Sequence, residues 1–196
     1  MAGNKKKPER FLYLQPDEAR KFVIAAYQYN PRIGLMMDIT LNGGLRISET
    51  LAIKISDVIF DRNQITITTL KRKTKAHVVD LLFPEATIKI CKKITDHLQL
   101  KDDDELFPYT RQWAWKCFKI ILDRCKLSHL YSPHSLRHAH GIIVAEVTHG
   151  DPIKIAKRLR HASLQQVYTY THLTDGIQEE IVKGIENMNK HKEEKK

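Results

Sequence analysis

The sequence predicts a mainly α-helical fold with one small antiparallel β-sheet. Apolar residues recur at helical spacing along most of the chain, and only one region shows the alternation and β-branching that are typical of strands. Neither an internal repeat nor a low-complexity linker divides the sequence. Because 196 residues are enough to bury a sizeable core, we expect one domain with at most a small appendage.

Helix signals open the N-terminal part of this fold. Pro16 begins a first helix, whose apolar face consists of Ala19, Phe22, Val23, Ala26 and Tyr27. Pro31 begins a second helix that runs to Leu41 and is ended by the glycines at 43 and 44. A short third helix follows, and Ser48 is its expected N-cap.

The strand signals lie in the middle of the chain. Residues 65–70 alternate and are β-branched, and residues 78–82 are the expected partner strand. Between them lies a turn with four cations in five residues, namely Lys71, Arg72, Lys73 and Lys75. The sequence therefore predicts a β-hairpin whose basic tip contacts phosphate, with a merely solvated turn as the alternative.

The C-terminal half is expected to be helical. One predicted face consists of Ile88, Cys91, Thr95 and Leu98, and another of Trp115, Phe118, Leu122 and Cys125. Residues 105–108 form an extended join between these two helices. Further helices are expected after His134, at Asp151 and after Ser163. A last helix from Asp175 carries an apolar stripe of Ile177, Ile181, Ile185 and Met188.

Composition indicates a polyanionic partner. The chain has 33 Lys and Arg against 23 Asp and Glu, a formal charge of +10, which favours nucleic acid over a membrane surface. Cys91, Cys117 and Cys125 lack metal-site spacing, so reduced core thiols are expected. Neither a run of about 20 apolar residues nor a secretion signal is present, so a cytoplasmic protein is expected.

Three separate motifs carry chemistry. They are Gly-Leu-Arg-Ile-Ser-Glu at 44–49, Pro-His-Ser-Leu-Arg-His at 133–138, and His-Ala-Ser-Leu at 161–164 with Tyr-Thr-His-Leu at 170–173. Two guanidiniums, two imidazoles and a phenol suit the task of holding a phosphodiester and attacking it. Each residue alone has a structural alternative, such as a helix cap, a surface cation or a core histidine.

Together the three motifs resemble the catalytic domain of the tyrosine recombinases, the family of phage integrases and Xer recombinases. The resemblance implies that Tyr170 is the nucleophile and that Arg46 and Arg137 hold the scissile phosphate. It implies that His134 and His161 donate hydrogen bonds and handle protons. Tyr168 is the alternative nucleophile, two residues before Tyr170.

Other positions follow from the same resemblance. Glu49 would support the arginine turn, and Lys71 would protonate the leaving 5′-oxygen, with Lys73 as the second candidate. Arg72, Lys73 and Lys75 would contact DNA. Arg160 stands where relatives have a glycine before the histidine, and it would also contact DNA. The sequence leaves open whether the backbone at this position requires a positive φ.

The implied function is site-specific recombination of double-stranded DNA through a 3′-phosphotyrosyl intermediate, with neither a metal nor another cofactor. The implied assembly is a tetramer on synapsed DNA and a monomer when free, assisted by accessory DNA-bending proteins. One alternative is a catalytically silent DNA-binding protein of the same fold. Another is a metallohydrolase using His134, His138 and His140, although Ser135 occupies the place of the glutamate in an HExxH motif.

The expected organisation has three parts. A basic tail at 1–10 precedes a catalytic domain at 11–189, whose helix at 175–189 is a candidate for exchange between protomers, and a charged tail ends the chain at 190–196. No separate N-terminal core-binding domain is expected. The chain is thus either an excised catalytic domain or a minimal recombinase similar to the fimbrial-switch invertases.

Overall fold

The computed structural model of the chain describes residues 14–69 and 77–160. The elements in these ranges are α1 (Pro16–Tyr29), α2 (Pro31–Asn42), α3 (Ile47–Leu51), β1 (Val58–Ile59), β2 (Gln64–Thr69), β3 (His77–Leu82), α4 (Glu85–Leu98), α5 (Arg111–Cys125), α6 (Pro133–Val147) and α7 (Pro152–Leu159). The predicted fold class, mainly helical with a small antiparallel sheet, is confirmed. The chain divides into two compact units, residues 1–140 and 141–196.

Helices α1 and α2 begin the first unit and pack closely against each other. The predicted face of α1 is confirmed, since Ala19, Phe22, Val23 and Ala26 are buried. Phe22 meets Phe118 of α5 with ring centroids 4.6 Å apart. A Cβ at Gly34 would lie 2.3 Å from the ring of Tyr27, so only glycine permits this approach of α2 to α1.

The sheet has the strand order β1-β2-β3, with both pairs antiparallel. Its buried face carries Ile65, Ile67 and Leu81, as the alternation predicts. On the opposite face Thr66 Oγ1 donates to Asp80 Oδ1 at 2.8 Å. The predicted hairpin strands are thus confirmed, whereas the basic tip lies outside the described residues. Strand β1 was not predicted, because two residues are too few to show alternation.

Two residues that were predicted to lie on the buried faces of α4 and α5 are exposed. Leu98 is 43% exposed because it is the last residue of α4, where Gln99 turns the chain into the left-handed region at φ 51°. Trp115 is 50% exposed because it lies off the buried stripe of α5, which consists of Ala114, Cys117, Phe118, Ile121, Leu122 and Cys125. All three cysteines are free and buried, as expected for core thiols.

The second unit is described from residue 141 to 160. Its helix α7 begins at the predicted place, where Asp151 Oδ1 accepts from the N–H groups of Ile153 and Lys154 at 2.9 and 3.2 Å. Ile155 and Leu159 are buried. The helices predicted after Ser163 and from Asp175 lie outside the described residues. Within the described ranges, no helix has the length and hydropathy that a membrane span requires.

Candidate active site

The turn between α2 and α3 positions the first arginine. Leu45 N donates to Thr40 O at 3.0 Å and Gly44 N donates to Leu41 O at 3.1 Å, the pair of bonds that defines a Schellman motif. Such a motif needs a left-handed residue, and Gly44 supplies it at φ 56°. Leu45 is buried and anchors the turn, so Arg46 leaves it at the start of α3.

Glu49 ties this turn together. Its Oε2 accepts from the backbone N–H of Arg46 at 2.8 Å, and its Oε1 accepts from Arg46 Nη1 at 2.9 Å. The N-cap of α3 is therefore Arg46, and the prediction of Ser48 is wrong, because the carboxylate of Glu49 reaches back over the first turn in place of a serine hydroxyl. Glu49 is 6% exposed, whereas the Arg46 side chain is 50% exposed.

Helix α6 brings the second arginine to the same carboxylate. Arg137 has a side chain that is only 2% exposed, so it is not a surface cation. Its Nη1 donates to the carbonyl of Gly44 at 2.5 Å and lies 4.0 Å from Glu49 Oε2. Thr69, at the end of β2, donates from Oγ1 to Glu49 Oε1 at 3.3 Å. Two guanidiniums thus surround one carboxylate, and the cluster has a surplus of positive charge.

Two histidines lie one helical turn apart on α6, beside these guanidiniums. His134 and His138 lie edge to face, with ring centroids 4.7 Å apart. Partial burial lowers the pKa of His134, and the charges of Arg137 and Arg46 lower it further. Burial, with His134 and Arg137, lowers the pKa of His138 from 6.5 to about 4. Both rings are therefore neutral near pH 7, and each can donate through one nitrogen and accept through the other.

A cavity of about 920 Å³ adjoins these residues within the first unit. Arg46 and His134 line it on one side, and the first turns of α5 add Arg111, Trp115 and Lys116. The cavity is open and rimmed by cations, so it can admit a phosphate group of a larger polyanion. Sequence reasoning missed these α5 residues, although the phase of Trp115, one residue beyond the buried Ala114, could have indicated its exposure.

The described structure therefore brings together Arg46, Glu49, His134 and Arg137, whose catalytic roles stay a prediction. Lys71, Arg72, Lys73, Lys75, His161, Tyr168 and Tyr170 lie outside the described residues. Within the described ranges there is no group of three or more His, Cys, Asp or Glu side chains that could hold a metal ion. The metallohydrolase hypothesis built on His134, His138 and His140 thus gains no support from them.

Arg160 has a left-handed backbone conformation. It ends α7 in the left-handed region at φ 56°, so the turn does require a positive φ. A non-glycine residue there costs about 1 kcal/mol relative to glycine. Its Nη1 donates to Arg158 O at 3.4 Å, and this return of the side chain to α7 helps to hold the conformation.

Comparison with known proteins identifies the family to which this fold belongs. Residues 13–176 match the model of the phage integrase family. The chain therefore belongs to this family, the tyrosine recombinases.

Two curated relatives illustrate the match. Tyrosine recombinase XerD of Neisseria meningitidis is 28% identical over 165 residues, which are 79% of this chain and 55% of that protein. Transposase A from transposon Tn554 of Staphylococcus aureus is 27% identical over 190 residues, which are 86% of this chain and 51% of that protein. The chain thus spans about half the length of the curated relatives that it matches.

Solved structures agree on the fold. The crystal structure of XerA recombinase has a TM-score of 0.72 at 24% identity, covering 91% of this chain and 66% of that one. The catalytic domain of bacteriophage HP1 integrase has a TM-score of 0.65 at 20% identity, covering 89% of this chain and 95% of that one. XerH site-specific recombinase bound to palindromic difH substrate, in a post-cleavage complex, has a TM-score of 0.71 at 24% identity, covering 91% of this chain and 55% of that one.

Proposed function

We propose that this chain is the catalytic part of a site-specific DNA recombinase. The observation that carries the proposal is the pair of guanidiniums, Arg46 and Arg137, around the single carboxylate of Glu49 beside an open cavity. During transfer a phosphodiester gains negative charge on its non-bridging oxygens, and fixed guanidiniums stabilise that charge without reorganising. Arg46 is half-exposed and can turn to the phosphate, whereas Arg137 is held in place by Gly44.

The proposed reaction forms one phosphoester bond for each one that it breaks. The oxygen of Tyr170 attacks the scissile phosphorus and passes its proton to one of the two imidazoles, His134 or His161; a 3′-phosphotyrosyl bond forms, and the bond to the 5′-oxygen breaks. Lys71 supplies a proton to that oxygen, and the 5′-hydroxyl of another strand reverses the steps. Lys71 is proposed ahead of Lys73 because it is only two residues beyond Thr69, whose hydroxyl bonds to Glu49.

His134 and His161 complete the proposed site. His134 beside the cavity can donate one N–H to a phosphate oxygen, and its lowered pKa favours the neutral imidazole. Arg111 and Lys116 are proposed to bind neighbouring phosphates of the same strand, because they line the cavity with Arg46. Arg72, Lys73, Lys75 and Arg160 are proposed as further DNA contacts.

Double-stranded DNA is the proposed partner. The family membership, the charge of +10 and the cation-lined cavity support this. A tetramer on synapsed DNA, a monomer when free, exchange of the helix at 175–189, accessory DNA-bending proteins and a cytoplasmic location stay predictions from the resemblance. So does the division into tails at 1–10 and 190–196 and a catalytic domain at 11–189.

The test is a covalent protein–DNA adduct. We would incubate the protein in EDTA with supercoiled DNA that flanks its own coding sequence, stop the reaction with SDS, and locate the linked residue by mass spectrometry. The expected result is an adduct at Tyr170 that Tyr170→Phe abolishes. Tyr168→Phe is the matched control and should keep the adduct.

Two results would contradict the proposal. An adduct that survives in Tyr170→Phe but disappears in Tyr168→Phe would move the nucleophile by two residues. Specific DNA binding without an adduct in any supercoiled or nicked substrate would favour the silent DNA-binding protein.

A further inference from the structure

One lysine links α5 to the segment that leads into α6. Lys119 Nζ donates to the backbone carbonyls of His129 and Tyr131, both at 2.6 Å. The same Nζ lies 5.0 Å from the ring centroid of Trp115, one turn earlier on α5. An ammonium has three N–H donors, and these contacts direct it towards two carbonyl oxygens and the face of one ring.

The segment that Lys119 holds, residues 128–132, lies directly before the helix that carries His134. Most of it is exposed, and Leu130 at its centre is 59% exposed. Tyr131 is its buried residue, and Tyr131 Oη donates to Glu18 Oε2 of α1 at 3.3 Å. At the start of α6, the Oγ of Ser135 accepts a hydrogen bond from Ser132 N at 3.2 Å.

In the part of the chain that the structure describes, a further side-chain contact joins this segment to α5. An exposed contact joins His129 Nε2 to Asp123 Oδ1 at 2.5 Å, and both side chains are more than half exposed. Exposed ion pairs add little stability, whereas two short charge-assisted bonds, of which the one to Tyr131 is partly buried, add more. Lys119 is therefore the strongest polar link between α5 and the entry of α6 within the described residues.

We propose that Lys119 is a positioning residue for DNA cleavage, acting through His134. By holding the carbonyls of His129 and Tyr131 it sets where α6 begins, and thereby where the imidazole of His134 stands beside Arg46. Trp115, whose ring lies near the same ammonium, lines the cavity that His134 also lines. The inference rests on the proposed function, because it assigns His134 a contact with the scissile phosphate.

The effect should appear in the chemical step and not in DNA affinity. Lys119→Met keeps the aliphatic stem but removes the donors, and a displacement near 1 Å at a reacting group can cost about 10²-fold in rate. We expect a loss of about 10- to 100-fold in single-turnover adduct formation at saturating DNA, with DNA affinity little changed. Lys119→Arg should restore much of the rate, because a guanidinium can also reach two carbonyls.

A double-mutant cycle separates positioning from general damage. In the background of His134→Ala, Lys119→Met should cost less than about threefold, since residues that act through one another are not additive. Lys93→Met, on the exposed surface of α4, is the charge-matched control and should not change the rate. Losses that multiply, or an unchanged rate in Lys119→Met, would overturn the proposal.

A DNA-free measurement keeps this test independent of the proposed function. In Lys119→Met, amide hydrogen exchange should accelerate at Tyr131 and Ser135, whose N–H groups bond to Ser128 O and Ser132 O. The amide of Cys91 in α4 should be unaffected. If wild type forms no adduct, the proposed function fails while the exchange result still decides whether Lys119 holds the segment. Unchanged exchange at Tyr131 and Ser135 would show that it does not.

Discussion

Two buried carboxylates on consecutive helices, Asp38 of α2 and Glu49 of α3, have different kinds of partner. Asp38 is 8% exposed and Glu49 is 7% exposed. Asp38 accepts hydrogen bonds from three neutral side chains, those of Tyr27, Asn42 and Thr87. Glu49 instead faces two guanidiniums, those of Arg46 and Arg137.

The difference separates a cluster that packs the fold from the cluster that we propose binds phosphate. Neutral donors satisfy Asp38 and join α1, α2 and α4, and they leave no charge for a ligand. Burial dominates there and raises the pKa of the carboxyl. Around Glu49 the positive charges outnumber the negative charge, and Arg46 remains half-exposed. A buried carboxylate with surplus cations beside a cavity therefore indicates an anion site, whereas one with neutral donors indicates packing.

The largest effect is expected from Arg137→Met. Removing one fixed donor to a developing negative charge should lower single-turnover cleavage by about 10²- to 10³-fold. Leaving Glu49 buried with only one cation should also lower the free energy of unfolding by about 3 kcal/mol, measured by urea titration. Arg62→Met, at an exposed arginine, is the control. Cleavage within twofold of wild type would contradict the functional interpretation of this cluster.

A loss of stability without a loss of chemistry is expected from Asp38→Ala. Buried donors on Tyr27 and Thr87 lose their acceptor, so the free energy of unfolding should fall by about 3 kcal/mol in a urea titration. At a temperature where the variant is folded, its single-turnover cleavage rate should match wild type. A large fall in that rate would mean that the two clusters are not separate in function.

The two clusters should also respond oppositely to acid. The pKa of His138 is lowered to about 4, so between pH 6.5 and 4 the unfolded chain binds a proton that the folded chain does not, and stability falls as pH falls. The pKa of Asp38 is raised, so the folded carboxyl binds its proton first and acid favours the folded state.

Urea titrations at several pH values measure this contrast. His138→Gln should flatten the acid-side fall in unfolding free energy, and Asp38→Asn should make that fall steeper. A His138→Gln profile parallel to wild type would show that His138 does not carry this dependence.

Much of the fold was predictable because its signals are local. Pro16 and Pro31 mark helix starts, the glycines at 43 and 44 mark a helix end, and β-branching marks the hairpin strands. What was missed depends on distant contacts. The exposure of Trp115 depends on which face of α5 packs inward, and the N-cap of α3 depends on where the carboxylate of Glu49 points.

The grouping of Arg46, Glu49, His134 and Arg137 was predictable for another reason. These residues occur in short motifs that resemble a known family when they are taken together, although each residue alone has a structural alternative. The contacts between these motifs are not local, since Arg137 donates to the carbonyl of Gly44, 93 positions earlier. The bond from Thr69 to Glu49 left no pattern in the sequence, and the sequence left the φ of Arg160 open, because each depends on the folded backbone.

The most direct test of the central claim, that the surplus charge around Glu49 serves the scissile phosphate, is a charge-deletion experiment. Arg46→Met would be assayed for adduct formation on a duplex with a normal scissile phosphate and on one with a neutral methylphosphonate there. The half-exposed Arg46 leaves no cavity in the core when it is replaced, and comparing two substrates in the same variant cancels any loss of stability around Glu49. We predict a loss of about 10²-fold on the phosphodiester and less than about fivefold on the methylphosphonate. An equal loss on both substrates would contradict the account.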